Sequence, residues 1–174
     1  MNISRKNRGL ATSAVIAALY VALTYSQNAI FPGSTSMAVQ FRVSEALCVL
    51  SLFTPSAIPG LTVGCLLANI VSLGAIPMDM LFGTLASFLA VSSMYAFRRI
   101  TFKGLPLLSL AMPALFNGVI VGAEIEAFFI EGPFRFTSFL IQGGCVALGE
   151  LGVLFTLGIM LVKIIKNKNL EKYL

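Results

Sequence analysis

The amino-acid sequence predicts an all-α integral membrane protein with six transmembrane helices, and three observations support this fold class. First, 57% of the 174 residues are hydrophobic and only 11% are charged, whereas soluble domains carry about 25% charged residues. Second, apolar runs alternate with polar connections, and a run of about 20 residues is enough to cross a bilayer. Third, Lys and Arg concentrate near the ends of those runs. We therefore expect one transmembrane domain that covers residues 1–174.

Six apolar runs define the predicted spans. They cover residues 9–30, 42–54, 58–75, 78–97, 105–130 and 136–162. Basic residues precede the first span, and a loop with Pro, Gly and Ser at 31–41 follows it. Pro77 precedes the fourth span, and the turn EGPFR separates the fifth span from the sixth.

The second and third spans are predicted to form a helical hairpin. The stretch 40–75 is almost wholly apolar but is too long for one crossing. Pro55 and Pro59 lie near its middle, and proline disrupts a helix by removing a backbone donor. The sequence TPSAIPG is therefore expected to form the tight turn.

Positive charge predicts the orientation, because cytoplasmic loops carry an excess of Lys and Arg. With both termini in the cytoplasm, ten of the 12 basic residues lie inside and two, Arg42 and Arg135, lie outside. The inner set is Arg5, Lys6, Arg8, Arg98, Arg99, Lys103, Lys163, Lys166, Lys168 and Lys172.

Several functional classes lack support in the sequence. There is no His, the commonest metal ligand and general base. The three Cys lie far apart in apolar runs, which favours small buried side chains over a metal site or a disulfide. There is no Walker motif, and no cleavage site typical of a signal peptide follows the first apolar run. We expect no metal, no cofactor and no enzymatic activity.

Polar side chains occur at similar depths in different predicted spans. With a rise of about 1.5 Å per residue, Asn69, Glu124 and Gln142 lie roughly 10 Å below the outer ends of their helices. Asp79 opens the fourth span at the outer face. Polar residues inside a membrane are costly and mark functional sites. The convergence predicts a substrate site, with the residues Glu45, Asn69, Asp79, Asn117, Glu124, Gln142 and Glu150.

Most of these residues also have a structural interpretation. Arg42 and Glu45 are three residues apart and could pair on one helix. Asn69 could join two helices by a hydrogen bond, and Asp79 could cap the fourth span. Glu150, roughly 20 Å from the outer side, could lie under the site, gate it or lock two spans together.

Other acidic side chains are easier to place. Glu126 and Glu131 are expected near the lipid headgroups, in contact with water. Glu124 has no basic residue nearby in its helix, so a ligand is the favoured partner for its carboxyl group.

The chemistry of the predicted site narrows the ligand. Its interior contains carboxylates and amides, and no Lys or Arg lies in the middle of a span. This set suits a cation or a molecule rich in N–H donors. A guanine-like edge offers adjacent N–H donors for a carboxylate and a carbonyl oxygen for Asn or Gln. Phe or Tyr could stack on a flat ring.

A row of small residues marks one face of the first span. Ala14, Ala18 and Ala22 are spaced four residues apart, which allows another helix to approach closely in lipid. The sequence leaves open whether that helix belongs to this chain or to a partner.

Five segments together resemble the QueT family of queuosine-precursor transporters, over nearly the whole chain. They are QFRVSEAL, FTPSAIPGLTVGCLLANI, DMLFGTLAS, PALFNGVIVGAE and GELGV. QueT proteins are substrate-binding S components of energy-coupling factor (ECF) transporters. The resemblance implies six spans, cytoplasmic termini, a bacterial plasma-membrane location and a site near the outer face.

The resemblance also implies a substrate and partners. The substrate would be a 7-deazaguanine such as preQ1, preQ0 or queuine, captured from outside beneath a loop lid at 31–41. The partners would be a transmembrane coupling protein and two ATPase subunits. Ala14, Ala18 and Ala22 match the face of the first helix that contacts the coupling protein in S components.

Three alternatives remain open at this point. One is a solitary proton-coupled transporter that uses Glu124, Glu150 or Asp79. Another is an S component for a different vitamin or nucleobase. The third, an intramembrane enzyme, lacks a visible nucleophile and base.

Overall fold

The computed structural model describes residues 3–32, 41–71 and 77–173, and these form a bundle of helices. The α-helices are α1 (Ile3–Ile30), α2 (Ala57–Val71), α3 (Pro77–Phe97), α4 (Leu107–Glu124), α5 (Phe136–Val153) and α6 (Ile159–Asn167). A 3-10 helix, Val43–Leu52, lies between α1 and α2. Two π-helical turns, Ile125–Phe129 and Leu154–Gly158, extend α4 and join α5 to α6.

Four of the described helices are long and apolar enough to cross a membrane. They are Lys6–Ile30, Pro77–Phe97, Leu107–Phe129 and Phe136–Asn167. The predicted second and third spans are shorter apolar helices, Val43–Leu52 and Ala57–Ile70. Each of the six predicted segments therefore contains a helix within the described residues, and large apolar side chains cover much of the outer surface. Examples more than half exposed are Leu10, Val15, Leu81, Leu115, Leu140 and Leu148.

The predicted second span differs most from a conventional membrane helix. It is a 3-10 helix of 10 residues, and seven of those residues are buried. It packs against α1, α3 and the π-helical turn Leu154–Gly158. Such backbone is tolerated at membrane depth where protein surrounds it, because lipid cannot satisfy its polar groups. The segment therefore lies in the centre of the bundle.

Glycine permits two close helix crossings. A Cβ atom added at Gly60 would lie 2.7 Å from the Ser13 carbonyl oxygen of α1. A Cβ atom at Gly122 would lie 2.5 Å from the Cα atom of Gly143. Small residues let helix backbones approach closely in lipid. The second crossing holds α4 against α5, which carry Glu124 and Glu150.

The basic ends of two helices meet at one end of the bundle. The Lys166 ammonium group, near the end of α6, donates to the Gly104 carbonyl in the loop between α3 and α4 at 3.3 Å. That loop follows Arg98 and Arg99. The contact agrees with the predicted grouping of these residues on one side of the membrane.

Candidate functional site

Two buried carboxyl groups lie deep between the helices. The Glu45 side chain is 1% exposed and that of Glu150 is 3% exposed. One Glu45 oxygen accepts a hydrogen bond from the Tyr20 hydroxyl of α1. The other accepts from the Cys48 thiol at 3.0 Å. Glu45 therefore ties the 3-10 helix to α1.

Glu150 makes a direct bond between α5 and α4. Its Oε1 atom accepts from the Asn117 Nδ2 group at 3.0 Å. Of the three roles left open by the sequence, locking two helices together is thus observed. Its second oxygen, Oε2, is buried and has no hydrogen-bond partner among the described residues.

Asp79 and Glu124 form a second carboxyl pair toward the other end of the bundle. Their side chains are in hydrogen-bonding contact. Asn69 lies on the same side, and its Nδ2 group donates to the Asp79 backbone carbonyl at 3.0 Å. Asn69 thus joins α2 to α3, as its structural interpretation predicted.

Arg42 brings positive charge near carboxyl groups of both pairs. Its guanidinium group interacts electrostatically with Glu45 and Glu150, and with Glu124. The sequence had placed this residue at the outer surface and left the interior without a cation. The structure corrects that picture, because Arg42 is half-buried and faces the carboxyl groups.

Six of the seven predicted site residues thus belong to one polar cluster, formed by two carboxyl pairs with their amide partners. It consists of Glu45, Asn69, Asp79, Asn117, Glu124 and Glu150. The seventh, Gln142, is half-buried on α5, and no hydrogen bond from its side chain occurs among the described residues. The ligand-binding role of all seven stays a prediction.

Unpartnered acceptors mark where this polar cluster could receive a ligand. Glu124 is 3% exposed, and its Oε1 atom, like Oε2 of Glu150, has no hydrogen-bond partner in the described part of the chain. Buried polar atoms without partners are rare and each calls for an explanation. Both oxygens can accept N–H groups, and they come from neighbouring helices.

Glu126 is a correction to the sequence analysis. It was expected to be solvated, but its side chain is buried. Its Oε1 atom accepts from the Arg135 backbone N–H at 3.0 Å. It therefore holds the start of α5. Glu131, in contrast, is exposed as expected.

The alanine row on α1 faces away from the described helices. Ala14, Ala18 and Ala22 are all exposed, whereas Ile16 and Tyr20 on the opposite face are buried. The alternative that the row packs within this chain is thus wrong for the described residues. Its role toward a partner stays a prediction.

Sequence reasoning missed four polar residues beside the cluster. They are Tyr20, Thr24, Gln27 and Arg42. The first three share one face of α1 at intervals of four and three residues, a signal that the sequence does contain. Cys48 and Cys65 are buried free thiols, as the apolar context predicted. Most of the predicted lid, residues 33–40, lies outside the described residues.

Comparisons with known proteins agree on one family. The family model for the QueT transporter matches residues 10–167. A queuosine precursor transporter QueT from Lactococcus lactis subsp. cremoris (strain MG1363) is 30% identical, with 96% of this chain and 98% of the relative covered. No solved structure matches.

Proposed function

The chain belongs to the QueT transporter family, a family of transporters and not of enzymes, and we propose that it imports a queuosine precursor. The family membership and the four long apolar helices together make the chain a multi-pass membrane protein. We place it in the bacterial plasma membrane, with six spans and both termini in the cytoplasm. Within this family role, it is the substrate-capturing S component of an ECF importer.

The observation that carries this proposal is the buried polar cluster. An otherwise apolar bundle places four carboxyl groups and one guanidinium group around one interior region. A bilayer protein retains such costly groups for a ligand or ion. The unpartnered oxygens of Glu124 and Glu150 are the acceptors that a ligand with N–H donors would use.

A 7-deazaguanine fits this donor and acceptor set. Its N–H edge can donate to a carboxylate, and its carbonyl oxygen can accept from Arg42 or Gln142. The cluster contains four carboxyl groups and one guanidinium group, so the balance of charge favours a ligand with a positive amine. Among the precursors, preQ1 carries an aminomethyl cation, and preQ0 carries a neutral nitrile. We therefore expect preQ1 to bind more tightly than preQ0.

Transport then proceeds in two stages. The protein captures substrate from outside. A transmembrane coupling protein and two ATPase subunits then reorient the bundle, and the substrate leaves on the cytoplasmic side. The exposed row Ala14, Ala18 and Ala22 is the surface on α1 that we assign to the coupling protein, since small residues permit close helix contact.

The contact between the Asp79 and Glu124 side chains favours a second candidate. Adjacent carboxyl groups inside a membrane can take up and release a proton, as in proton-coupled transporters. In that case the chain would work alone and would need no ATPase.

Uptake of labelled preQ1 into cells separates these candidates. We expect uptake to require the coupling protein and ATP hydrolysis by the ATPase subunits. A proton uncoupler should have little effect while ATP is maintained. Uptake that persists without the ATPase subunits and stops with the uncoupler would instead establish the solitary transporter.

A further inference from the structure

Three polar side chains of α1 form a row beside the segment 41–45, which carries Arg42 and Glu45 into the polar cluster. Tyr20, Thr24 and Gln27 are all at least nine-tenths buried. Their spacing places them on one face of the helix. They contact the segment in reverse order along the chain, from Gln27 at its start to Tyr20 at its end.

Gln27 brackets the backbone of Arg42. Its Nε2 group donates to the Phe41 carbonyl, and its Oε1 atom accepts from the Val43 N–H at 2.7 Å. These two peptide groups immediately precede and follow Arg42. Val43 begins the 3-10 helix, and the side chain of Arg42 does not cap it. The Val43 N–H, the first of this helix, has no acceptor within the helix itself. Gln27 of α1 supplies that acceptor, which lipid could not provide.

The other two side chains complete the row. The hydroxyl groups of Thr24 and Ser44 are hydrogen-bonded at 2.9 Å. The Tyr20 hydroxyl donates to Glu45 Oε1. Every residue from 41 to 45 except Arg42 thus offers an atom to α1, and the Arg42 guanidinium group interacts electrostatically with Glu45 and Glu150.

We propose that Tyr20 and Gln27 are positioning residues of the substrate site, which fix Glu45 and, through the segment 41–45, hold the Arg42 guanidinium group near the acceptors that the ligand meets. The inference rests on the proposed function. The guanidinium group interacts electrostatically with Glu150 of α5 and Glu124 of α4. Displacement of residues 41–45 would separate it from the acceptors on both helices.

The first test is Tyr20→Phe in the purified full-length protein, which removes one hydroxyl group. Calorimetry with preQ1 should show binding about tenfold weaker than wild type, because the Glu45 carboxyl group loses its donor. Tyr25→Phe is the matched control, since Tyr25 lies on the same helix and is 64% exposed. It should bind preQ1 as wild type does.

A double-mutant cycle separates positioning from general stability. If Tyr20 acts through Glu45, Tyr20→Phe should change affinity by less than about twofold in a Glu45→Gln background. Equal weakening in both backgrounds would show that Tyr20 only stabilises the fold, and no weakening in either would remove it from the site. Both results overturn the inference.

Gln27→Met with Arg42→Gln forms a second, independent cycle. Met has a similar length to Gln but cannot form the two hydrogen bonds to the backbone on either side of Arg42. Gln27→Met should therefore weaken preQ1 binding when Arg42 is present. In an Arg42→Gln background, it should have little further effect on affinity. If the two substitutions lowered preQ1 affinity additively, the positioning role of Gln27 would be contradicted. Absence of preQ1 binding by folded wild-type protein is a different result, because it removes the proposed substrate and this inference with it.

Discussion

The carboxyl groups of the polar cluster differ in how their oxygen atoms are used. Both oxygens of Glu45 have partners within the chain. Glu124 and Glu150 each keep one oxygen without a partner in the described part. This difference assigns separate tasks: Glu45 organises the site, and the other two present acceptors to the ligand.

Glu126 gives a prediction at the scale of one residue. Glu126→Ala should lower the melting temperature by a few degrees, because the Arg135 N–H loses its acceptor at the start of α5. Thermal unfolding in detergent measures this effect. Glu131→Ala, at an exposed position in the same loop, should leave the melting temperature unchanged. Equal effects of the two changes would exclude the proposed anchoring role.

The secondary-structure elements show what hydrophobicity can and cannot predict. Long apolar runs predicted the four long helices, because a bilayer sets a minimum length for them. Both the apolar and the polar residues of Val43–Leu52 are mostly buried, so its pattern carried no period that could reveal a buried 3-10 helix. Its geometry is set by the helices that surround it.

The polar partners of the site were equally hidden from sequence reasoning. Tyr20 and Glu45 are 25 positions apart, and nothing local to either residue specifies their pairing. Glu126 was misplaced because the π-helical turn changes which side chains of the extended α4 face inward. The depth of polar residues was predictable from helical rise alone, so six of the seven predicted side chains share a cluster.

The α4–α5 crossing gives a prediction at the scale of elements. A Cβ atom at Gly143 would lie 2.4 Å from the Gly118 carbonyl oxygen, whereas one at Gly144 would meet nothing within 4 Å. Gly143→Ala should therefore force the helices apart and destabilise the protein by about 1–3 kcal/mol. It should also weaken preQ1 binding, since Glu124 and Glu150 lie on these helices.

Gly144→Ala is the matched control for this crossing. It should leave stability unchanged or raise it, because Ala favours helix over Gly. Denaturant titration of both variants measures the difference. If Gly143→Ala were as stable as Gly144→Ala, the close crossing would be contradicted.

At the scale of the whole molecule, α1 has two faces with different roles. One face holds the segment 41–45 through Tyr20 and Gln27, and the opposite face exposes the row that contains Ala18. One helix therefore lies between the substrate site and the surface that we assign to the coupling protein.

This arrangement predicts that assembly and capture can be separated. Ala18→Leu should greatly reduce copurification with the coupling protein, because the larger side chain prevents close helix contact. It should leave preQ1 affinity of the isolated protein unchanged. Ala96→Leu, at an exposed position on α3, is the control and should still copurify. If the Ala18→Leu variant copurified fully with the coupling protein, the assignment of this row as the partner surface would be wrong.

The most direct test of the central claim is calorimetric binding of preQ1, preQ0, queuine and guanine to the purified, partner-free protein. Wild type and Glu131→Gln should bind preQ1 with the same affinity, and both should bind preQ0 more weakly. Glu124→Gln should weaken preQ1 binding at least about tenfold, because a buried carboxylate acceptor is lost. Binding of preQ1 that is unaffected by Glu124→Gln and by Glu150→Gln would contradict the claim that this polar cluster is the substrate site.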